Sequence, residues 1–130
     1  MNNDTTIRHS SAPAAKEVKV SAHYSYVVGG ITLDGSKFAV KELVTEGQCL
    51  VKDNTTGLFE KYADAAGNFP PGKSNPVILD ESIKFNPKDE GTNPNVTAGQ
   101  VLVHGAVYTS MLTNCTDAFK NACRGIQFVE

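Results

Sequence analysis

The sequence predicts a mainly β domain with one short helix near the C-terminus, and three stretches predict it. Residues 100–108 are rich in valine and lie between turn-forming residues, which is typical of a buried strand because β-branched side chains fit a pleated sheet. Residues 115–123 repeat apolar side chains at helical spacing. Residues 125–129 then read as a second strand. We expect this strand, helix and returning strand to fold together as one unit.

The chain divides into a polar N-terminal stretch and one domain. Residues 1–16 are small and polar, and Ile7 is the one large aliphatic side chain after Met1. Such a stretch cannot bury enough apolar surface to order by itself, so it is predicted to be a flexible arm. The arm either frays without consequence or becomes ordered on a partner. Residues 17–130 are predicted to form a single β-rich domain, since glycine and proline number 11 and 6 in 130 residues, which suits a loop-rich β protein.

The first half of the domain contains three predicted extended stretches and a hairpin. Residues 17–28 alternate apolar and polar side chains and are predicted to form an edge strand with one exposed face. Residues 31–33 and 38–44 are also strand-like. Residues 48–52 and 58–62 flank a five-residue loop that ends in glycine, which predicts a hairpin.

The second half contains two predicted loops before the C-terminal unit. Residues 63–76 and 86–95 are rich in proline, glycine and asparagine and are predicted to be loops. Between them, residues 77–85 are predicted to form one strand that begins after Pro76. The helix is predicted at about residues 115–124, with Asn114 as its N-cap. Its apolar stripe consists of Cys115, Ala118, Phe119, Ala122 and Cys123.

Composition excludes several classes of partner. The net charge is −2, with 12 basic and 14 acidic residues well mixed, so no phosphate-binding field is expected and no direct nucleic-acid binding is predicted. No apolar run approaches the roughly 20 residues that span a bilayer, and no membrane partner is predicted. The N-terminal residues lack a hydrophobic signal-peptide core, so synthesis in a cytoplasm is expected.

No metal or cofactor site is predicted. The three cysteines, Cys49, Cys115 and Cys123, lack metal-ligand spacing and are interpreted as reduced apolar side chains. The three histidines are far apart in the sequence and form no metal-binding motif.

Catalysis has one candidate set, which no flanking motif supports. Cys49 and His104 both lie on predicted strands, and Asp80 or Asp89 would be the third member. A single histidine in a valine-rich strand is more often a core or interface residue, so the chain is predicted not to be an enzyme. On residues alone it is a binding or structural module.

The C-terminal unit also resembles a known family. Val-x-Val-His-Gly-x-Val at residues 101–107, followed by a short helix and Gly-Ile-x-Phe-Val, is similar to the end of lambda-type phage head decoration proteins. Further similarities occur in the same order upstream, at residues 47–51, 56–62 and 76–81, so the resemblance covers roughly residues 40–130. The chain departs from the family at Gln48 and Cys49, where the family tends to have small or β-branched residues.

The resemblance implies a small β-barrel-like or β-tulip domain with a flexible N-terminal arm, and a structural role. Such a protein binds as a homotrimer to the outer surface of the expanded head at local three-fold positions, and stabilises it against the packaged DNA. Its partners would be the major capsid protein and itself, it would need no cofactor, and it would be made in the host bacterial cytoplasm. The capsid-binding arm would include Thr5, Thr6, Ile7, Arg8, His9, Ser10, Ser11, Lys16 and Val18.

The alternative is a free-standing β-sandwich module that binds a glycan or a host surface. Tyr24, Tyr26, Tyr62 and Tyr108 are its candidate contact residues. They show no aromatic pairing at fixed spacing.

Overall fold

The computed structural model describes residues 17–20, 22–87 and 91–130. This part of the chain is mainly β, with one short helix near the C-terminus and a curled half-barrel sheet, which confirms the predicted fold class. The described strands are β1 (Ser25–Tyr26), β2 (Ile31–Leu33), β3 (Leu43–Val44), β4 (Cys49–Asp53), β5 (Phe59–Lys61), β6 (Lys73–Leu79), β7 (Ile83–Lys84), β8 (Val96–Ala98), β9 (Val101–Tyr108) and β10 (Ile126–Val129). The helix α1 is Asp117–Ala122, and 3₁₀ turns occupy Gly35–Lys37 and Thr109–Met111. No helix in these ranges is long and apolar enough to cross a membrane.

The main sheet is built around β9. Its strand order is β10–β9–β6–β4–β5–β2–β8, and β1 pairs with β9 in addition. The predicted hairpin is present, since β4 and β5 are antiparallel with Val51 opposite Glu60. β9 and β10 run parallel, with Gly105 opposite Ile126. Parallel neighbours need a crossover connection, and α1 lies within it, so strand, helix and returning strand form one unit as predicted.

The predicted strand over residues 38–44 is mostly a turn. Only Leu43 and Val44 are in a strand, and β3 pairs with β7 as a separate two-stranded sheet. The reason is Asn93, which is buried and donates its amide to the carbonyl of Ala39 (2.8 Å) while its Oδ1 accepts from the backbone N–H of Lys41 (3.0 Å). Lys41 takes a left-handed φ of 62°, which ends an extended run.

The boundaries predicted around Pro76 are wrong at both ends. β6 begins at Lys73, so Pro76 lies inside a strand and the loop before it is shorter than predicted. Pro76 falls where the β4–β6 register shifts, next to Asn75 with a φ of 52°, and a bulge tolerates a residue without an N–H. At the other end, β6 stops at Leu79, and Ile83 belongs to β7 rather than continuing the strand.

The helix is shorter than predicted, and its cap is different. α1 has six residues, and the Oγ1 of Thr116 accepts from the backbone N–H of Phe119 at 3.2 Å as the N-cap. Asn114 has a φ of 65° and accepts from the side chain of Gln48 at 2.7 Å, so it holds the loop before the helix instead.

An apolar core covers each face of the main sheet. Along β4, Leu50 packs into the first core while Cys49 and Val51 pack into the second, because successive side chains of a strand point to opposite faces. The first core contains Ile31, Leu33, Phe38, Val44, Leu50, Phe59, Val77, Leu79, Phe85, Ala98 and Val101. The second contains Val18, Cys49, Val51, Tyr62, Ile78, Leu102, Val107, Phe119, Cys123 and Ile126. The helix therefore closes the second face through Phe119.

Candidate functional site

The N-terminal segment, residues 17–20 and 22–27, is attached along one edge of β9. The backbone N–H of Tyr108 donates to the carbonyl of Val18 at 2.9 Å, and that of Val20 donates to Ala106 at 2.8 Å. At the other end of the segment, Val27 donates to Val101 at 2.9 Å. The segment thus runs antiparallel to β9, as an edge strand does. Among the described residues of the predicted strand over 17–28, Ser25 and Tyr26 alone have regular strand geometry, so that strand is interrupted.

Val18 differs from the other predicted capsid-binding residues. Its side chain has no exposed area and belongs to the second core, so it anchors the start of the domain. The remaining predicted arm residues, Thr5, Thr6, Ile7, Arg8, His9, Ser10, Ser11 and Lys16, lie outside the described residues.

A buried carboxylate holds this segment to the sheet. Asp80 follows directly after β6, and its Oδ2 accepts from Lys19 Nζ and from the phenol of Tyr26, each at 2.6 Å. Burial is the largest single influence and lowers the pKa of Lys19, but the hydrogen bond to Asp80 and the negative charges of Asp80 and Glu17 together outweigh it, so the pKa is raised. Burial and the same carboxylate also raise the pKa of the Tyr26 phenol. Asp80, Lys19 and Tyr26 are called the Asp80 network below.

Apolar side chains are exposed beside the Asp80 network. Val20 and Tyr24 line a shallow cleft of about 390 Å³ together with Glu17 and Lys19. The ammonium of Lys19 lies 4.8 Å from the centre of the Tyr24 ring, and the Tyr24 and Tyr26 rings are 5.2 Å apart. The start of the N-terminal segment thus lies in a surface with exposed apolar side chains next to charged ones, a combination common in protein interfaces.

Two histidines that are far apart in the sequence lie side by side. The rings of His23 and His104 are 5.5 Å apart and meet edge to face. Both side chains are exposed, and they line a cleft of about 310 Å³ with Arg124 and Gln127. His104 is therefore not a core residue. In the described ranges, no group of three or more His, Cys, Asp or Glu side chains is arranged to hold a metal ion.

A cleft of about 680 Å³ lies at the other end of the N-terminal segment. Tyr26 and Phe59 line it, together with Val28 and Val103, which are exposed. The polar side chains of Thr32, Lys52 and Asn75 also line it. This mixture of apolar walls and a few polar groups is typical of small-molecule sites.

The candidate catalytic residues Cys49, His104 and Asp80 lie in different environments. Cys49 is fully buried in the second core, and its pKa is raised by burial and by the neighbouring Cys115 thiol. His104 is exposed beside His23, and Asp80 is occupied by Lys19 and Tyr26. Asp89 lies outside the described residues.

Sequence reasoning missed the role of Asp80, although a signal for it exists. An aspartate directly after the apolar run of residues 77–79 lies at the end of a buried strand, where a charge needs a partner. Lys19 and Tyr26 lie in the alternating N-terminal stretch. Nothing in the sequence pairs them with a residue more than 50 positions away.

Comparison of the chain with protein-family models, curated proteins and solved structures found no match.

Proposed function

We propose that this protein is a phage head decoration protein that binds as a homotrimer to the outer surface of the expanded capsid at local three-fold positions. In this role it joins neighbouring capsid subunits and stabilises the virion against the pressure of packaged DNA. Its partners are the major capsid protein and two further copies of itself. The role requires binding surfaces and no catalytic chemistry.

One observation carries the proposal: the segment that follows the arm is hydrogen-bonded along the edge of β9, the strand with the family-like His-Gly motif. The Val18 carbonyl accepts a backbone hydrogen bond from β9 and the Val20 N–H donates one to it, and together with the Asp80 network these bonds hold this segment on the sheet. A pull on residues 1–16 would therefore be transmitted to a buried carboxylate and to the second core. This suits an arm that attaches the domain to a large surface.

The exposed side chains near the junction of the arm and the domain support the same function. Val20, Tyr24 and Tyr108 are each more than a third exposed. A strand-like arm pairs with an exposed strand of a partner through backbone hydrogen bonds, and apolar contacts nearby add affinity. Three arms on one trimer would act together, so weak single contacts would give long-lived attachment.

Co-sedimentation with capsids tests the proposal directly. The purified protein is expected to sediment with expanded capsids and not with unexpanded ones. Binding to neither form, or equally to both, contradicts it. Light scattering measures the oligomer separately: a monomer mass in solution, together with a lack of three-fold symmetry on the shell, rules out the trimer.

The cleft of about 680 Å³ beside Tyr26 favours a second candidate, a module that binds a glycan or another host-surface ligand. Tyr26 supplies an aromatic face there, and Asn75, Thr32 and Lys52 supply hydrogen-bonding groups. The isolated domain would then bind glycans, and Asn75→Ala would abolish that binding. Capsid binding without any glycan binding would exclude this candidate.

A further inference from the structure

The cleft between β9 and the turn before β10 brings together three nitrogen-bearing side chains from distant parts of the sequence. His23 comes from the N-terminal segment, His104 from β9, and Arg124 from the turn that follows α1. Gln127 on β10 adds an amide, and none of the described residues that line the cleft carries a carboxylate. These side chains offer several N–H donors and one permanent positive charge.

Close backbone packing builds this cleft. A Cβ atom at Gly125 would lie 2.4 Å from the carbonyl oxygen of Val103, and one at Gly105 would lie 3.0 Å from the Cβ of Tyr24. Gly105 also has a φ of 140°. The two glycines therefore let the three segments approach closely enough for their polar side chains to share one cleft.

Arg124 differs from several lysines in its charge environment. Lys19, Lys61, Lys73 and Lys120 each have a carboxylate partner on the domain. Within the part of the chain that the structure describes, no ion pair joins Arg124 to a carboxylate within 4.0 Å. Its charge is therefore available to a group from outside.

We propose that this cleft binds a carboxylate, supplied by an aspartate or glutamate side chain of a partner protein. A guanidinium matches a carboxylate with two parallel N–H groups, and the His104 imidazole and the Gln127 amide supply further donors to the same anion. One permanent positive charge balances one carboxylate, whereas a phosphate brings a charge of about −1.5 to −2. The inference does not depend on capsid binding, because it rests only on the groups in the cleft.

Titration of the full-length protein with short blocked peptides tests the proposal. The probe is acetyl-Gly-Asp-Gly-amide, and acetyl-Gly-Asn-Gly-amide is the uncharged control. NMR signals of the His23 and His104 rings and of the Gly105 and Gly125 amides are expected to shift with the Asp peptide and saturate in the millimolar range. A single small anion site supports only weak affinity, on the order of 1–10 mM. Equal shifts with the Asn peptide would overturn the proposal.

Substitutions distinguish binding of the peptide in the cleft from a general effect of the protein's net charge. Arg124→Gln is expected to weaken binding of the Asp peptide roughly tenfold, which is the loss of about one charge-assisted hydrogen bond. His104→Gln should weaken it by less. Lys37→Gln removes one charge from an exposed site elsewhere and should leave the affinity unchanged. Equal weakening by Lys37→Gln would show that only net charge matters and would overturn the site.

A third measurement distinguishes a carboxylate ligand from a phosphate ligand. Inorganic phosphate, added at the same ionic strength, is expected to bind more weakly than the Asp peptide. Tighter binding of phosphate would overturn the assignment of a carboxylate ligand. Because the exposed side chains of His104 and Arg124 make no core contacts, unchanged thermal unfolding of both variants is the check that they remain folded.

Discussion

The ammonium of Lys19 lies 2.6 Å from the carboxylate of Asp80, whose side chain is only 3% exposed. This contact joins the N-terminal segment to the end of β6, across more than 60 residues of sequence. A buried carboxylate that loses its charged partner is strongly destabilising, because its desolvation is no longer compensated. The Asp80 network therefore has a direct consequence for stability.

We expect Lys19→Met to lower the free energy of unfolding by about 3 kcal/mol, the lower end of the range for a broken buried pair, because Lys19 is itself 19% exposed. Denaturant unfolding measures the change. Hydrogen exchange at the Val20 and Val27 amides should become faster at the same time, since both lie in the released segment. Lys37→Met, at an exposed lysine, is the control and should cost less than about 0.5 kcal/mol. Equal stability of the two variants would contradict an anchoring role for Lys19.

Phe119 tests the second core. Its side chain has no exposed area, and its ring lies 4.9 Å from that of Tyr62 and 6.5 Å from that of Phe128. Phe119→Ala is expected to lower the free energy of unfolding by about 3–5 kcal/mol, because it leaves a cavity among these rings. Lys120→Ala removes an ion pair with the exposed Glu130. It should lower the free energy of unfolding by less than about 0.5 kcal/mol.

The effect of Phe119→Ala on binding should follow from its effect on folding. Capsid attachment should be lost by unfolding and recovered on cooling or with excess capsid, because only the folded form binds. A Phe119→Ala variant that is as stable as the parent but fails to bind would mean that the helix contacts the capsid directly.

Substitution by serine should destabilise the protein to a different extent at each cysteine. Cys49 is fully buried, so Cys49→Ser should cost about 1–3 kcal/mol by introducing a hydroxyl without a partner. Cys115 is half-buried, and Cys115→Ser should cost less. Burial raises the pKa of Cys123 to about 12, so the folded protein should react with iodoacetamide slowly near neutral pH. Fast labelling of Cys49 or Cys123 in the native protein would contradict this account of the second core.

Removal of the arm should separate attachment from stability. Deletion of residues 2–16 leaves Val18, Lys19 and the Asp80 network in place, so the thermal transition should be nearly unchanged. Capsid attachment should weaken strongly if the arm carries it, as measured by co-sedimentation. A truncated protein that binds as tightly as the full chain would exclude the arm as the attachment element.

Tyr62 gives a pH dependence with a defined sign. Burial, with a 2.6 Å hydrogen bond to Asp64, raises the pKa of Tyr62 to about 12 from its ordinary value near 10. The folded state holds this proton more tightly than the unfolded state, so the associated stability is fully present below pH 10 and is lost as the pH rises through about 12. The unfolding free energy of the parent should fall over this window more steeply than that of Tyr62→Phe. Parallel curves for the two proteins would contradict this.

The C-terminal unit shows how much of the fold was predictable. Valines in β9 and the alternation in β10 are local signals, and both strands lie where they were predicted. The helix was predicted correctly in kind but too long. Asn114 would be a good N-cap by residue type, yet its side chain is bonded to Gln48, 66 residues away in sequence. Such a partner cannot be read from local spacing.

The candidate site was less predictable for the same reason. Residue type suggested that His104 lies in a core or an interface, and the neighbouring His23 in an edge strand. Their contact depends on the pairing of the N-terminal segment with β9, which only the folded chain establishes.

By itself, the sequence determined the fold class, the β4–β5 hairpin and the approximate position of the helix, because strand and helix periodicity and turn chemistry act over a few residues. The tertiary structure alone decided which polar side chains are buried and which groups they are hydrogen-bonded to. The side chains of Asp80 and Asn93 take their hydrogen-bond partners from distant segments, and that of Gln48 joins the neighbouring Cys49 carbonyl to the distant Asn114. Burial makes an unpaired polar group costly, so these pairings are enforced by the packed sheet and not by the residues around them.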